Sequence, residues 1–218
     1  MNLDSSSDSR VSLRAKFRTA TREAILDAAA DILGSGDAAQ ARMEDIAARA
    51  GVAVGTVYNY FEDRRALVSA LLETRKKTLM EALDAPLKPA ARVRRTAGAA
   101  REAFESELTH FVAAVAAHID ANRFLLNLLL EDERSRGIDA QAASRRRTVQ
   151  AELLTHAERL IEKGIRTRAL RKDDAAMYAA LLVGMVRGIA ISALTLQKEF
   201  SADATASIVR VFMTGAAR

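Results

Sequence analysis

Apolar residues recur every three or four positions along almost the whole chain, and no stretch alternates with the period of two that marks a half-buried strand. Only two prolines, Pro86 and Pro89, interrupt this pattern in 218 residues. Half of the residues are hydrophobic, so a sizeable core can form. The sequence therefore predicts an all-α protein of about nine helices.

Both prolines lie in the sequence DAPLKPA, residues 84–90, which is the clearest break in the chain. The break predicts a flexible basic and polar arm over 1–16, a small helical domain over 17–83 and a larger helical domain over 84–218. In the small domain the pattern predicts helices from 17 or 19 to 33, over 43–50 and 54–60, and from 62 or 63 to 83. In the larger domain it predicts helices over about 91–118, 121–134, 139–164, 173–197 and 202–216.

The chain has no cysteine, which excludes disulfides and thiolate metal sites. Its first residues, MNLDSSSDSR, lack the apolar core of a secretory signal, so a cytoplasmic location is expected. Five basic residues and no acid lie between positions 10 and 22: Arg10, Arg14, Lys16, Arg18 and Arg22. This local charge suggests an anionic partner such as nucleic acid, with solvated surface charge as the alternative.

The segment from Ala175 to Leu196 is apolar, carries a single charge and is long enough to span a bilayer. The charge is Arg187, near the middle, where an unpaired arginine costs roughly 3 kcal/mol. We therefore expect a buried helix and no membrane partner. A helical membrane-associated or ligand-binding protein stays the alternative.

The sequence MEDIAARAGVAVGTVYNYF, residues 43–61, predicts two short helices joined by a tight turn at Gly51, the pattern of a helix-turn-helix. In the second helix Val57 and Phe61 fall on one side, because each residue turns about 100° around the axis. These two residues fix the direction of the core.

Asn59 and Gly55 then point away from the core, with Thr56 close to them, and Tyr58 and Tyr60 lie about 80° to either side. Asparagine can pair with the N6 and N7 atoms of adenine in the major groove, and phenols can reach the phosphates that flank it. A structural helical hairpin is the alternative interpretation. The arrangement favours DNA binding.

TREAILDAAADILGSG and MEDIAARAGVAVGTVYNYFEDRRALVSALLE resemble the DNA-binding domain of the tetracycline-repressor (TetR) family over about residues 19–73. The resemblance implies a homodimeric transcription regulator that binds a near-palindromic operator in double-stranded DNA at the nucleoid, and a repressor released by a small molecule. An activator stays an alternative. The matching residues are Ile46, Ala47, Ala50, Gly51, Val52, Gly55, Thr56, Val57, Tyr58, Tyr60, Phe61 and Leu67.

The resemblance also implies residue roles. Thr56, Tyr58 and Tyr60 would contact phosphates and adjacent bases, Asn59 would contact base edges, and Arg64 would contact a phosphate. Gly55 would allow close approach to the groove. The family usually has lysine at the position of Arg64, so the charge is kept while the contact geometry can differ.

Three further positions depart from the family pattern. Arg42 and Ala53 stand where the family has serine or threonine caps, and losing a cap costs on the order of 1 kcal/mol. Arg42 can compensate by contacting a phosphate. Val54 replaces a residue that is often polar, which favours an apolar contact such as a thymine methyl. Asp63 is predicted to cap the next helix.

The resemblance implies a dimer interface built from the last two helices. The predicted helix over 173–197 is apolar nearly all round, so it must be buried on more than one side. Burial within one subunit is the alternative. The predicted interface residues are Gly184, Met185, Gly188, Ile189, Ile208, Val209, Phe212 and Met213.

Members of this family commonly enclose a small-molecule pocket in the remaining helices. Few polar residues converge in the sequence, so we expect a largely apolar or amphipathic effector, with simple core packing as the alternative for each residue. The candidate lining residues are Phe104, Leu108, Phe111, Phe124, Leu128, His156, Met177 and Leu181.

No enzymatic activity, metal or cofactor is expected. His110 and His118 are two turns apart, but a metal site usually needs further ligands. The sequence has neither a glycine-rich phosphate loop nor a recognisable pair of nucleophile and base, so no catalytic residue is predicted.

Overall fold

The computed structural model describes residues 5–34, 42–85, 97–123, 140–196 and 198–216, with side-chain burial assigned from residue 13 onward in the first of these ranges and from 149 in the fourth. These ranges are helical, which confirms the predicted fold class, and they hold eight helices. The helices are α1 (Ser5–Gly34), α2 (Met43–Ala50), α3 (Val54–Tyr60), α4 (Arg64–Asp84), α5 (Ala97–Ala121), α6 (Ala140–Arg166), α7 (Ala175–Thr195) and α8 (Ala202–Ala216).

The chain divides into two compact units, Met1–Thr74 and Arg75–Arg218. We call the first the head and the second the body. Helix α4 begins in the head and continues into the body, because its bounds are Arg64 and Asp84.

The bounds of α2 and α3 are those that the sequence predicts. Helix α1 is longer than predicted, since it begins at Ser5 and not at 17 or 19, so most of the predicted flexible arm is helical. No glycine or proline lies between Ser5 and Leu33 to end the helix where its buried face ends. Phe17, in this N-terminal part of α1, is 65% exposed. The helix predicted over 121–134 lies mostly outside the described residues.

The head has a small apolar core in which α1 packs on α2 and α2 on α3. An exposed ion pair joins Arg49 of α2 to Asp31 of α1 at 2.7 Å. Such a pair contributes about 1 kcal/mol or less, so apolar burial holds the three helices together. The core residues include Ile25, Leu26, Ala29, Leu33, Ile46, Ala47, Val57, Phe61, Leu67 and Leu71.

The body has one continuous apolar core to which α5, α6, α7 and α8 all contribute. Helix α6 approaches α5 closely at Gly164, where a Cβ would lie 2.6 Å from the ring of Phe104. The start of α7 is capped by Asp174, whose side chain accepts hydrogen bonds from the Ala176 and Met177 amides at 2.9 and 3.2 Å.

Helix α7 is the one helix among the described residues that is long and apolar enough to cross a membrane, a test that core helices of soluble proteins also pass. One side of it lies in the body core, where Tyr178, Leu182, Val186 and Ala190 are buried. About a third of its apolar stretch is buried in this way.

Candidate functional site

The turn between α2 and α3 is fixed by the backbone. Gly51 has φ of 68°, the left-handed region that suits a residue without a Cβ. Its amide donates to Ala48 O at 3.2 Å, and the amide of Val52 donates to Ala47 O at 3.0 Å. This pair of bonds is a Schellman motif, which ends α2 and sets the direction of α3.

Helix α3 has a buried side and an exposed edge. Val57 and Phe61 are 0% and 4% exposed in the head core, as the spacing predicts. Tyr58, Asn59 and Gly55 are exposed, and a Cβ at Gly55 would meet nothing within 4 Å. The exposed edge therefore presents a phenol, an amide and a stretch of bare backbone. Val54, Thr56 and Tyr60 are half-buried beside it.

The end of α3 is tied to α1 by ring contacts. The Tyr60 and Phe61 rings lie 6.4 Å apart at an interplanar angle of 39°. The guanidinium of Arg22, on α1, stands 5.5 Å from the centroid of the Phe61 ring, which is cation–π geometry. The sequence carried no signal for this contact, because the two residues are remote along the chain.

The starts of α2, α3 and α4 are capped or uncapped as the sequence predicts. Neither Arg42 nor Ala53 makes a side-chain cap for α2 or α3. Asp63 does cap α4, because its Oδ1 accepts a hydrogen bond from the Ala66 amide at 2.7 Å. Arg64 is the first residue of that helix and is half-buried.

Residues 25–71 match the family model described as bacterial regulatory proteins, tetR family. The fold of nearly the whole chain also matches solved TetR structures. A TetR regulator from Haloarcula marismortui superposes with a TM-score of 0.71 and 16% identity, over 92% of this chain and all of that one. The head therefore matches the TetR family model, and the chain as a whole has the fold of solved TetR regulators.

Two further structural neighbours were solved with small molecules. A putative regulator from Saccharomonospora viridis, in complex with choline, has a TM-score of 0.73 and 18% identity over 92% of this chain and 99% of that chain. FadR from Bacillus subtilis, in complex with stearoyl-CoA, has a TM-score of 0.69 and 16% identity over 88% and 98%. No curated protein sequence matches significantly.

The body has a cavity of about 380 Å³. Two predicted pocket residues, Phe111 and His156, line it, whereas Phe104 and Leu108 are buried in the core. Phe124 and Leu128 lie outside the described residues. The cavity is lined by Leu83, Ala85, Glu107, His110, Phe111, His156, Leu160 and Lys163.

Met177 and Leu181, also predicted for the pocket, are 58% and 53% exposed on α7 and do not line this cavity. They repeat at the spacing of one helix face, but that spacing does not distinguish the side that faces the core from the side that faces away. The prediction that these two residues line the pocket is therefore wrong for this cavity.

Polar groups converge on one part of the cavity. The Nζ of Lys163 donates to both carboxylate oxygens of Glu107, at 2.7 and 2.8 Å. The Nε2 of His110 lies 3.1 Å from Ala82 O, and the Nε2 of His156 lies 3.2 Å from an oxygen of Asp84. The sequence showed few converging polar groups because these groups come from three separate helices.

The predicted dimer residues fall into two groups. Ile208, Val209, Phe212 and Met213 are at most 5% exposed and face the core of their own subunit, so these four are corrected from interface to core. The stripe they form on α8 is apolar, but it is already covered by the helices of the same body.

The residues predicted on α7 remain accessible in the single chain. Gly184 and Gly188 are exposed, and a Cβ at either would meet nothing within 4 Å, while Met185 and Ile189 are half-buried. Met177 and Leu181 continue the exposed side of the helix with Gly184 and Gly188, at steps of three or four residues. Helix α8 adds Val211, which is 58% exposed.

The two histidines that the sequence analysis paired lie in different surroundings. His110 lines the cavity and His118 does not. Burial, reinforced by the charge of Arg75, lowers the pKa of His118 to about 4. In the part of the chain that the structure describes, no group of three or more potential ligands is placed to hold a metal ion.

Proposed function

We propose that this protein is a homodimeric repressor of the TetR family that binds a near-palindromic operator and is released by a small amphipathic molecule bound in the body. The observation that carries the proposal is the exposed edge of α3, where Gly55, Tyr58 and Asn59 face away from the buried Val57 and Phe61. A short helix with one side packed and a polar opposite edge can enter the major groove.

Two residues read the bases, and a glycine allows them to come close. Asn59, at the centre of the exposed edge, pairs with the N6 and N7 atoms of an adenine. Gly55 has no side chain and allows the helix to approach the base edges closely. Val54 contacts a thymine methyl group, which would explain an apolar residue at the start of α3.

The remaining contacts go to the phosphates and position the helix. Tyr58 and Tyr60 lie on either side of Asn59, and Thr56 stands beside it. Arg42 precedes α2 and Arg64 opens α4, so both lie at helix starts, where the free backbone amides also favour an anion. These contacts add affinity for any DNA sequence and little discrimination.

The exposed side of α7 supplies the dimer contact. One recognition helix reads only a few base pairs, and affinity for a genomic operator requires two. The two exposed glycines, Gly184 and Gly188, allow the backbone of a second helix to come close, and Met177 and Leu181 supply apolar surface beside them. The predicted interface of the last two helices therefore keeps α7 but uses the outer side of α8, where Val211 is exposed.

The body cavity is the effector site. Its volume of about 380 Å³ is in the usual range for small ligands. Leu83, Phe111 and Leu160 offer apolar surface, and Lys163 and the two cavity histidines offer polar groups to a head group. Two neighbours of the same fold were solved with choline and with stearoyl-CoA, which supports a ligand site in this body.

Helix α4 connects the two functions. Its last residues contribute hydrogen-bond partners to the cavity histidines, namely Ala82 O to His110 and the Asp84 carboxylate to His156. A ligand that hydrogen-bonds to either histidine in place of α4 removes a contact of that helix. The first residues of α4 belong to the head. A ligand that binds the released state about 100-fold better shifts the equilibrium by about 2.7 kcal/mol.

The test of DNA reading is a selection with purified protein on the DNA beside its own gene, followed by binding measurements over a range of salt concentrations. Asn59→Ala should relax base preference, whereas Arg64→Ala should weaken binding to all sequences and flatten the salt dependence. Arg159→Ala, on an exposed site of α6, is the matched control. Equal losses on operator and random DNA for both head variants would contradict the assignment of roles.

The test of repression and release uses a reporter gene under the selected operator. Expression should rise when the protein is absent, and a fall would identify an activator. A thermal-shift panel that contains choline and long-chain acyl-CoA should find a compound that raises Tm and frees the operator. Lys163→Ala should weaken that response without changing DNA affinity in the absence of ligand, and an undiminished response would exclude this cavity.

A further inference from the structure

The N-terminal half of α1 carries a row of arginines that the proposed DNA contacts do not use. Arg14 and Arg18 are exposed, and they lie before residue 25, where the match to the TetR family model begins. Arg22 continues the row one turn further along and rests against the Phe61 ring. We propose that Arg14 and Arg18 bind phosphates of the DNA that flanks the operator, beyond the bases that α3 reads.

Helix geometry places the two arginines on the side of α1 that packs in the head. At 100° per residue, Arg14 and Arg18 each lie within about 20° of the direction of Ile25, which is fully buried. The helix extends past the core at this point, because the residues from Leu13 to Ala20 are all exposed. The arginines therefore lie in line with the buried face of α1 but are themselves exposed.

The same face reaches the end of the recognition helix. The Arg22 guanidinium lies 5.5 Å from the ring of Phe61, the residue that directly follows α3. With a rise of about 1.5 Å per residue, Arg18 lies about 6 Å and Arg14 about 12 Å beyond Arg22 along the axis. Successive phosphates of one DNA strand lie about 3.4 Å apart along the duplex axis, so the row covers a few nucleotides.

Charge favours DNA as the occupant of this face. Between positions 10 and 22 there are five basic residues and no aspartate or glutamate. The exposed Leu13 and Phe17 give the same segment some of the character of a helix that lies on anionic membranes. DNA is the better match because the segment carries five basic residues and no acid, and because its Arg22 contacts the residue that follows α3. A membrane outcome is tested below.

The experiment measures operator affinity at several salt concentrations for duplexes that end at the operator or extend about ten base pairs beyond it. On the long duplex, Arg14→Ala and Arg18→Ala should each weaken binding about eightfold per subunit at 0.1 M salt and reduce the salt slope by about 0.9. On the trimmed duplex neither change should matter. Alanine favours helix, so both variants keep α1.

Lys16→Ala is the matched control. It removes one positive charge from the same exposed segment, but Lys16 lies on the opposite side of α1 from Ile25, so its effect should stay within about twofold. Equal losses for Lys16→Ala and Arg18→Ala, or losses that persist on the trimmed duplex, would overturn the proposal. So would unchanged DNA binding by both arginine variants together with lost binding to phosphatidylserine vesicles.

This inference rests on the proposed DNA-binding function, and the two can fail separately. Asn59→Ala should lose operator preference and still bind the long duplex better than the trimmed one. If wild-type protein shows no operator preference, the proposed function fails, whereas a loss of flank dependence with operator preference intact removes only the role of Arg14 and Arg18.

Discussion

Gly164→Ala is the substitution for which the structure gives the most specific expectation. On an exposed helix this change stabilises by about 1 kcal/mol, because alanine is the better helix former. At Gly164, however, the new Cβ would lie 2.6 Å from Cε2 of Phe104 and 2.9 Å from two other ring atoms. Ordinary contacts between carbon atoms are at about 3.5–4.0 Å, so the overlap is about 1 Å.

The Phe104 ring cannot turn away freely, because it is only 3% exposed in the body core. Overpacking of this kind costs about 1–3 kcal/mol, which exceeds the gain in helix propensity. We therefore expect a net loss of up to about 2 kcal/mol in the free energy of unfolding of the body. The measurement is urea unfolding followed by circular dichroism.

A double-mutant cycle with Phe104→Leu tests the cause. The smaller side chain should accept the Cβ, so that Gly164→Ala costs clearly less in the Phe104→Leu background than in the wild type. If Gly164→Ala stabilises the wild-type protein, or costs the same in both backgrounds, the close approach of α5 and α6 is not the reason that position 164 requires a glycine.

Three other expectations can be checked separately. Ala53→Ser supplies the missing cap of α3 and should stabilise the head by about 1 kcal/mol in urea unfolding, whereas Ala53→Val should bring no such gain. The pKa of His118 falls from 6.5 to about 4 on folding, so the unfolded chain binds the extra proton first as the pH drops. The free energy of unfolding should therefore fall by up to about 3 kcal/mol between these pH values, and His118→Gln should flatten that slope. Leu181→Glu should convert dimers to monomers in light scattering, whereas Ala103→Glu, exposed on α5, should not; dimers in both would refute the α7 interface.

The local features of the head could be predicted because their causes are local. Gly51 ends α2, Asp63 caps α4, and Val57 and Phe61 define the buried side of α3 through spacing alone. The start of α1 could not be predicted in this way. Apolar spacing shows where a helix packs against its neighbours. Helix α1 continues toward the N-terminus for several turns beyond the residues that pack.

The body shows the opposite case. Its apolar stripes were visible in the sequence, but the sequence did not show whether each stripe faces the core or the surface. Helix α8 turns Phe212 and Met213 toward the core of the body, and α7 leaves Met177 and Leu181 exposed. Periodicity gives the relative orientation of residues around one helix and carries no information about which neighbouring helix covers them.

The sequence by itself determined an all-α chain and a TetR-type helix-turn-helix, because turn residues, caps and spacing act over a few positions. Only the tertiary structure decided the cavity, where Glu107, His110, His156 and Lys163 meet from different helices. It also decided that Arg22 of α1 reaches Phe61 at the end of α3. These contacts join residues far apart along the chain, and such pairs are set by how helices pack on one another.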